Sequence, residues 1–404
     1  MAQHLVVQLA RFGDLIQTKR LILSLAAEDS ATVHLAVDSS LAALARLVYP
    51  SAVIHEIPAH AAAHTPADVL HLARGAFAGL RNADFSSVYM PNFSGLAFAL
   101  SSLFPPEMVR GYKNSSGQCL RSRWCRMAFR WSEKRRVAPL NLMDFWGFLH
   151  PRPIAPELVN PKAVPGNSGR VGVVLAGRQT RRSLPPAALA MILEAVFAEL
   201  GGPQILLLGS KAERPLARRL ARLLRPAVVQ KTRDFSGETG LHDLPELLSG
   251  CDCVLTPDTG AMHLAAHLGV PVRAFFLSSA WCYETGPYGE GHRIWQATRD
   301  CAPCVETEPC RFAAACLEPF TQPDTWTAQG PPSGFPENMA VLASGFDPLG
   351  ARYAPLRGTM PEYGRYIALR SALARNLGIC FPESAPDWAV AQLVQEQDWM
   401  LPDC

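Results

Sequence analysis

Apolar residues along the chain follow two alternating rhythms: short unbroken runs, then longer stretches with an apolar residue every three or four positions. The segment HLVVQLARFGDLIQTKRLILSLA opens as a continuous apolar strand and turns at Phe12-Gly13-Asp14. It resumes with Leu15, Ile16, Leu21, Ile22 and Leu25 in helical period. TVHLAVDSS at 32–40 reads as the next strand, SLAALARLVYP at 40–50 as a helix stopped by Pro50, and FSSVYMPNF at 85–93 as a further strand. NPKAVPGNSGR at 160–170, rich in Pro, Gly, Ser and Asn, reads as a linker. Beyond it the alternation restarts. RVGVVLAG, PQILLLG, AVVQKT, CDCVLTP and VPVRAFF read as strands, with LPPAALAMILEAVFAELG, ERPLARRLARLL, LHDLPELLSGC and GAMHLAAHLG as the helices between them.

Strands alternating with helices predict parallel sheets covered on both faces. The pattern therefore predicts an α/β protein of two Rossmann-like halves, 1–160 and 161–320, facing a central cleft. From about residue 317 the alternation decays, and 321–404 reads as a partly helical extension with one helix near EYGRYIALRSALARNLG. A chain of 404 residues fits about two domains, and its 49% hydrophobic content can fill both cores. In open parallel sheets ligands sit beyond the carboxyl ends of the strands, which is where the chemically rich loops fall.

Charge narrows the partners. A formal net charge of +3 does not argue for nucleic acid, so an anionic partner must be met by a local patch. The opening residues Met1 to His4, then six residues to Ala10 before Arg11, lack a basic leader and a long apolar run, and no stretch approaches the roughly 18 apolar residues of a membrane span. The expectation is a cytoplasmic protein whose 11 cysteines are mostly thiols.

Four loops carry candidate chemistry. In LTPDTGAMHLAAHLGVP, the turn Asp258-Thr259-Gly260 opens a helix with His263 one turn inside it. A helix N-terminus offers unpaired amides and a positive dipole end, and a small Gly lets a diphosphate approach the backbone. The plain alternative is that Asp258 or Thr259 merely caps the helix. LAGRQTRRSLP supplies Arg178, Thr180, Arg181 and Arg182 after an apolar strand; crowded guanidinium groups suit phosphate oxygens, or form a solvated basic loop. In GSKAERPL, Glu213 is placed to accept from ribose or sugar hydroxyls, or to sit in the first turn of its helix. ARFGDLIQT puts Asp14 at another strand end. One glycine and an acid there match neither a Walker loop nor a G-x-G-x-x-G fingerprint, and suit instead a general base or a helix cap.

Together these segments resemble the family 9 glycosyltransferases, the bacterial ADP-heptose:lipopolysaccharide heptosyltransferases and their relatives. The resemblance rests on ARFGDLIQT, AGRQTRRSLP, SGETGLHDLPELLSGCDCVLTPDTGAMHLAAHLGVP and GPYG at 286–289, and runs over about residues 1 to 320. It implies a two-domain GT-B fold with the acceptor on the N-terminal half and the nucleotide sugar on the C-terminal half. By resemblance Asp14 falls where the family has its proposed base. Arg182 falls where heptosyltransferases usually carry a Lys on the donor diphosphate. Asp258, Thr259, Gly260 and His263 fall on the donor motif, and Glu213 lies near an acid that contacts the nucleoside. Leu184 replaces the aromatic that commonly follows the basic residue.

Residues and resemblance give one expected mechanism. Asp14 takes a proton from an acceptor hydroxyl, the oxygen attacks the anomeric carbon in line, and nucleoside diphosphate leaves with Arg182, Thr180 and the helix end at Gly260 neutralising its charge. This is single displacement with inversion. With no Asp-x-Asp motif, no metal or cofactor is expected, and ADP-heptose is the expected donor.

Other signals remain. CAPCVETEPCRFAAAC spaces Cys301, Cys304, Cys310 and Cys316 closely enough for one Zn²⁺ or a cluster, but matches no standard finger or ferredoxin run; reduced thiols are the first reading. Residues 110–136 hold nine Lys or Arg (Arg110, Lys113, Arg121, Arg123, Arg126, Arg130, Lys134, Arg135 and Arg136), interleaved with Trp124, Phe129 and Trp131, and a single acid, Glu133. Arg110, Lys113, Arg121 and Arg123 are the candidate acceptor contacts. They would meet an anionic lipid-linked glycan and the cytoplasmic face of the inner membrane, where each charge is worth about 1 kcal/mol, or form a solvated face. His55, His60, His64 and His71 read as surface or loop residues. The alternatives to a heptosyltransferase are a relative using another nucleotide sugar, a metal- or redox-binding protein built on the four cysteines, and a nucleotide-sugar epimerase of the same architecture.

Overall fold

A computed structural model describes residues 2–59, 67, 71, 74–126, 134–177, 180–305, 307–326 and 335–395, without the side chains of Thr180, Asp324, Val394 and Gln395. The chain forms two compact units. The first comprises Met1–Lys134, Leu142–Val159 and Ala368–Cys404; the second comprises Arg135–Asn141 and Asn160–Ile367.

The first unit is built on six strands: β1 (Gln3–Gln8), β2 (Thr32–Asp38), β3 (Val53–Ile57), β4 (Ser87–Met90), β5 (Val109–Ser115) and β6 (Gln118–Arg121), in the order β3-β2-β1-β4-β5-β6. All neighbours are parallel except β6, which returns antiparallel to β5. Leu5 and Val7 of the central strand are fully buried with Ala36, Val88 and Met90, as a sheet covered on both faces requires. Gly111 lets β5 run close against β4. It has φ +101°, and a Cβ there would lie 2.4 Å from the Met90 carbonyl oxygen. The return segment is fastened by a buried ion pair, Arg20 Nη1 to Asp144 Oδ1 at 2.6 Å, which joins helix Leu142–Gly147 to helix Lys19–Ala26. Glu28 bridges two buried histidines, at 3.1 Å to His4 and 2.7 Å to His150.

The second unit holds β7 (Arg170–Val174), β8 (Gln204–Leu208), β9 (Thr232–Asp234), β10 (Cys253–Pro257), β11 (Val272–Phe276), β12 (Arg293–Ala297), β13 (Met339–Asp347) and β14 (Gly350–Gly358), in the order β14-β13-β12-β11-β10-β7-β8-β9. The strands from β7 to β12 pair in parallel, while β13 and β14 are antiparallel. Val171, Val173, Leu207, Leu255 and Phe275 form the core against helix Pro186–Glu199.

Three expectations change. AVVQKT is a short helix, Pro226–Gln230, followed by β9; Pro226 sets the first helical φ, and a three-residue apolar run does not separate helix from strand. The tail 321–404 is not a separate extension: β13 and β14 complete the second sheet, while residues from Ala368 on belong with the first unit. Its strands mix Ser344 and Arg352 with apolar residues, because antiparallel strands need no continuous apolar run. His55 is a half-buried strand residue, its ring stacked 5.2 Å from His34 with a 2.9 Å nitrogen–nitrogen hydrogen bond.

Candidate active site

The loops after β7, β10 and β11, three adjacent strands in the middle of the second sheet, leave it at the strands' carboxyl ends. β10 is buried along its whole length and ends at Pro257, and the chain then turns into helix Gly260–His267. Thr259 caps that helix, its backbone extended and its hydroxyl accepting the Met262 amide at 3.4 Å. The amides of Gly260 and Ala261, the first of the helix, have no acceptor within it.

Asp258 does not cap. Its Oδ2 accepts from Arg182 Nη2 at 2.6 Å and from Thr285 Oγ1 at 3.1 Å, and its carbonyl accepts a second bond from Arg182 at 3.1 Å. Arg182 ends the short turn Thr180–Arg182 after β7. That turn folds back over Gly177, where a Cβ would lie 2.8 Å from the Arg182 carbonyl oxygen. Next to Thr285, Glu284 forms an ion pair with Arg135 Nε. Burial pushes the Glu284 carboxyl up, against the pull of Arg135. Arg182, Asp258, Thr285, Glu284 and Arg135 thus form one connected polar group.

His263 is buried below this group. Burial brings its imidazole down to about 4, with Asp258 opposing and Arg182 reinforcing the shift, so it is neutral at pH 7. The folded value lies under the 6.5 of the free side chain, so as pH falls the unfolded chain takes the proton first. The stability held by neutral His263 is complete above about pH 6.5 and drains towards pH 4. At pH 5 the loss is about 2 kcal/mol. Denaturant unfolding at pH 7 and pH 5 measures it, and His263→Leu should remove that part of the slope; an unaltered slope would contradict the assignment.

Glu213 Oε2 accepts the Ser210 amide at 2.6 Å in the loop after β8, while Ser210 Oγ accepts the Ala212 amide at 3.1 Å. Its carboxylate caps the turn. Arg178 and the side chain of Thr180 lie outside the described residues. Arg181 points elsewhere: it donates to the carbonyls of Glu308 at 2.6 Å and Val305 at 2.9 Å. There it borders a cavity of about 360 Å³ lined by Cys301, Cys304, Cys310, Cys316 and Ser278. Among the described residues no group of three or more His, Cys, Asp or Glu is arranged to hold a metal ion. Burial raises the Cys304 and Cys316 thiols, whereas amide donors, Ala314 N–H foremost, lower that of Cys310.

In the first unit, Asp14 lies in helix Phe12–Gln17 after β1, partly exposed, with Oδ2 accepting the Arg11 amide at 3.1 Å. Two residues that sequence reasoning missed hold this loop. Gln8 Nε2 donates to Thr18 Oγ1 at 2.7 Å and to the Asp14 carbonyl at 3.3 Å. Asn92, after β4, donates to Gln8 Oε1 at 2.5 Å and accepts the Leu9 amide at 2.7 Å. Their signal was a polar residue at the end of each of two apolar strands.

Arg110, Lys113 and Arg121 lie on the β5–β6 hairpin and Arg123 just beyond it. Lys113 Nζ donates to the Pro106 carbonyl at 2.9 Å, and the Arg121 guanidinium sits 4.8 Å over the exposed Phe93 ring. Arg135 and Arg136 do not continue this patch; they belong to the second unit, where Arg136 donates to the carbonyls of Ala302, Arg299 and Asp300. Arg130, Phe129, Trp131, His60 and His64 lie outside the described residues, and His71 is exposed.

The sequence pattern of the family described as glycosyltransferase family 9 (heptosyltransferase) matches residues 193–314. No curated protein sequence matches the chain. Among solved structures, ADP-heptose lps heptosyltransferase II of E. coli is similar at 17% identity over 72% of this chain and 89% of that one, with a TM-score of 0.53. A family 9 glycosyl transferase from Veillonella parvula gives 14% identity over 74% and 88%, with a TM-score of 0.55. E. coli heptosyltransferase WaaC with ADP gives 15% identity over 73% and 93%, with a TM-score of 0.52. At these identities the structural likeness is one of fold, while the matched pattern lies within the second unit and includes the turn and helix that carry Asp258 and His263. The chain therefore has the GT-B fold of the heptosyltransferase structures and carries the glycosyltransferase family 9 pattern over residues 193–314.

Proposed function

We propose that the protein transfers a sugar, with inversion and without a metal ion, from ADP-heptose to an anionic lipid-linked glycan such as the lipopolysaccharide core. It does so in the cytoplasm, at the inner face of the inner membrane. The observation that carries this reading is the placing of Arg182 by Asp258 and Thr285 beside the helix amides at Gly260 and Ala261. A guanidinium and two amides are the groups that stabilise a departing diphosphate. The nucleotide sugar is held within 161–320, with Arg178, Thr180 and Glu213 as further donor contacts. The acceptor is held within 1–160, with Arg110, Lys113, Arg121 and Arg123 on its charged groups and Asp14 taking the hydroxyl proton. One of the similar structures is a heptosyltransferase with ADP, which supports the choice of nucleotide. No helix among the described residues is long and apolar enough to cross a membrane, which accords with a peripheral location.

The test is thermal unfolding in the presence of ADP-heptose and of UDP- and GDP-sugars. ADP-heptose should raise the melting temperature most, and acceptor-dependent release of ADP should follow. Protection by a UDP- or GDP-sugar instead would replace the donor, and turnover of donor with no acceptor present would replace transfer by epimerisation.

A further inference from the structure

The segment Arg135–Asn141 belongs to the second unit although its sequence neighbours on both sides belong to the first. Arg136 is tied to three carbonyls, and Asn141 Nδ2 donates to the Gly286 carbonyl at 3.2 Å and to Tyr353 Oη at 2.9 Å. Arg135 is therefore held at a fixed place, and its Nε is committed to Glu284, the neighbour of Thr285. Its two terminal amino groups have no hydrogen-bond partner among the described residues, yet its side chain is only 19% exposed.

The charges of the group balance before any ligand arrives: Arg182 faces Asp258 and Arg135 faces Glu284. Arg182 spends Nη2 on Asp258 twice over. Arg135 instead keeps the fork that fits two oxygens of a phosphate. An ion pair made through Nε alone leaves that fork available.

We propose that Arg135, aimed by Glu284, is a second cation for the diphosphate of the donor, acting beside Arg182 and the amides of Gly260 and Ala261. This rests on the donor-site reading above and adds to it a residue that the sequence assigned to the acceptor patch.

Titration calorimetry of the full chain with inorganic pyrophosphate, ADP and adenosine tests it. Arg135→Gln should weaken pyrophosphate and ADP by about tenfold or more, the usual reach of a charge-assisted hydrogen bond, while adenosine binding is unmoved. Glu284→Gln should leave pyrophosphate affinity equal or higher. Because Arg135→Gln strands a buried carboxylate, the double variant Arg135→Gln/Glu284→Gln is the control: it removes both charges and should keep its stability. A double variant that still binds weakly supports direct contact. One that regains wild-type affinity makes Arg135 only a counter-ion to Glu284 and overturns the proposal. Affinity within twofold of wild type in Arg135→Gln overturns it while leaving the donor site standing; a wild-type chain that binds neither pyrophosphate nor ADP overturns both.

Discussion

Asp14→Asn should lower sugar transfer by about 100-fold or more while nucleotide affinity and thermal stability stay near wild type. The substitution separates two duties of one side chain. The carboxylate accepts the Arg11 amide at the start of helix Phe12–Gln17, and an asparagine Oδ1 can accept the same bond. The amide cannot take up a proton from an attacking hydroxyl. Asp14→Ala should remove both duties and cost about 1 kcal/mol of stability in addition. Initial rates at saturating ADP-heptose, with melting temperatures alongside, resolve the two. Transfer by Asp14→Asn within a few-fold of wild type would reject Asp14 as the base and leave it a cap.

What could be read from the sequence follows from how local each interaction is. The turn Asp258-Thr259-Gly260 was legible because its cause is local: a buried strand, a capping hydroxyl and a helix start lie within a few residues. The duties inside that turn were not. Asp258 is committed to Arg182 and Thr285, 76 and 27 residues away, and no spacing reveals such a pairing. Arg135 shows the same limit more sharply. As one of nine basic residues within 110–136 it read as part of a surface patch; in the fold it answers Glu284, 149 residues on. The parallel strands β1, β2, β4, β7, β8, β10 and β11 were legible as apolar runs, while β3, β5, β12, β13 and β14 were not, because polar residues such as Glu56, Arg110, Gln296, Ser344 and Arg352 interrupt theirs. Gln8 and Asn92 were passed over since each is a single amide at a strand end, meaningful only once β1 and β4 are known to be neighbours.

Removing the carboxylate of Asp144 should destabilise the first unit by about 3–5 kcal/mol, the range for breaking a buried ion pair. The Arg20 and Asp144 side chains are only 3% and 0% exposed, and the Arg20 guanidinium also donates from Nε to the Ile154 carbonyl at 3.0 Å and lies 5.2 Å from the Phe148 ring centroid. Gly147 lets the two helices close over this side chain, since a Cβ there would stand 2.8 Å from Arg20 Cδ. Asp144→Ala therefore leaves a buried guanidinium without its counter-charge. Arg20→Met strands the carboxylate in the same way. The double variant Arg20→Met/Asp144→Leu removes both charges and fills the volume with apolar atoms, so it should recover much of the loss. Hydrogen exchange at the β1 amides reads the stability of this unit directly and should quicken strongly in either single variant. The same helix, Lys19–Ala26, follows the Asp14 turn, so the single variants should also lose transfer activity while keeping their affinity for ADP, whose proposed site lies in the second unit. Singles that cost under about 1 kcal/mol, or a double variant no better than the sum of the two, would show that the pair does not fasten the return segment.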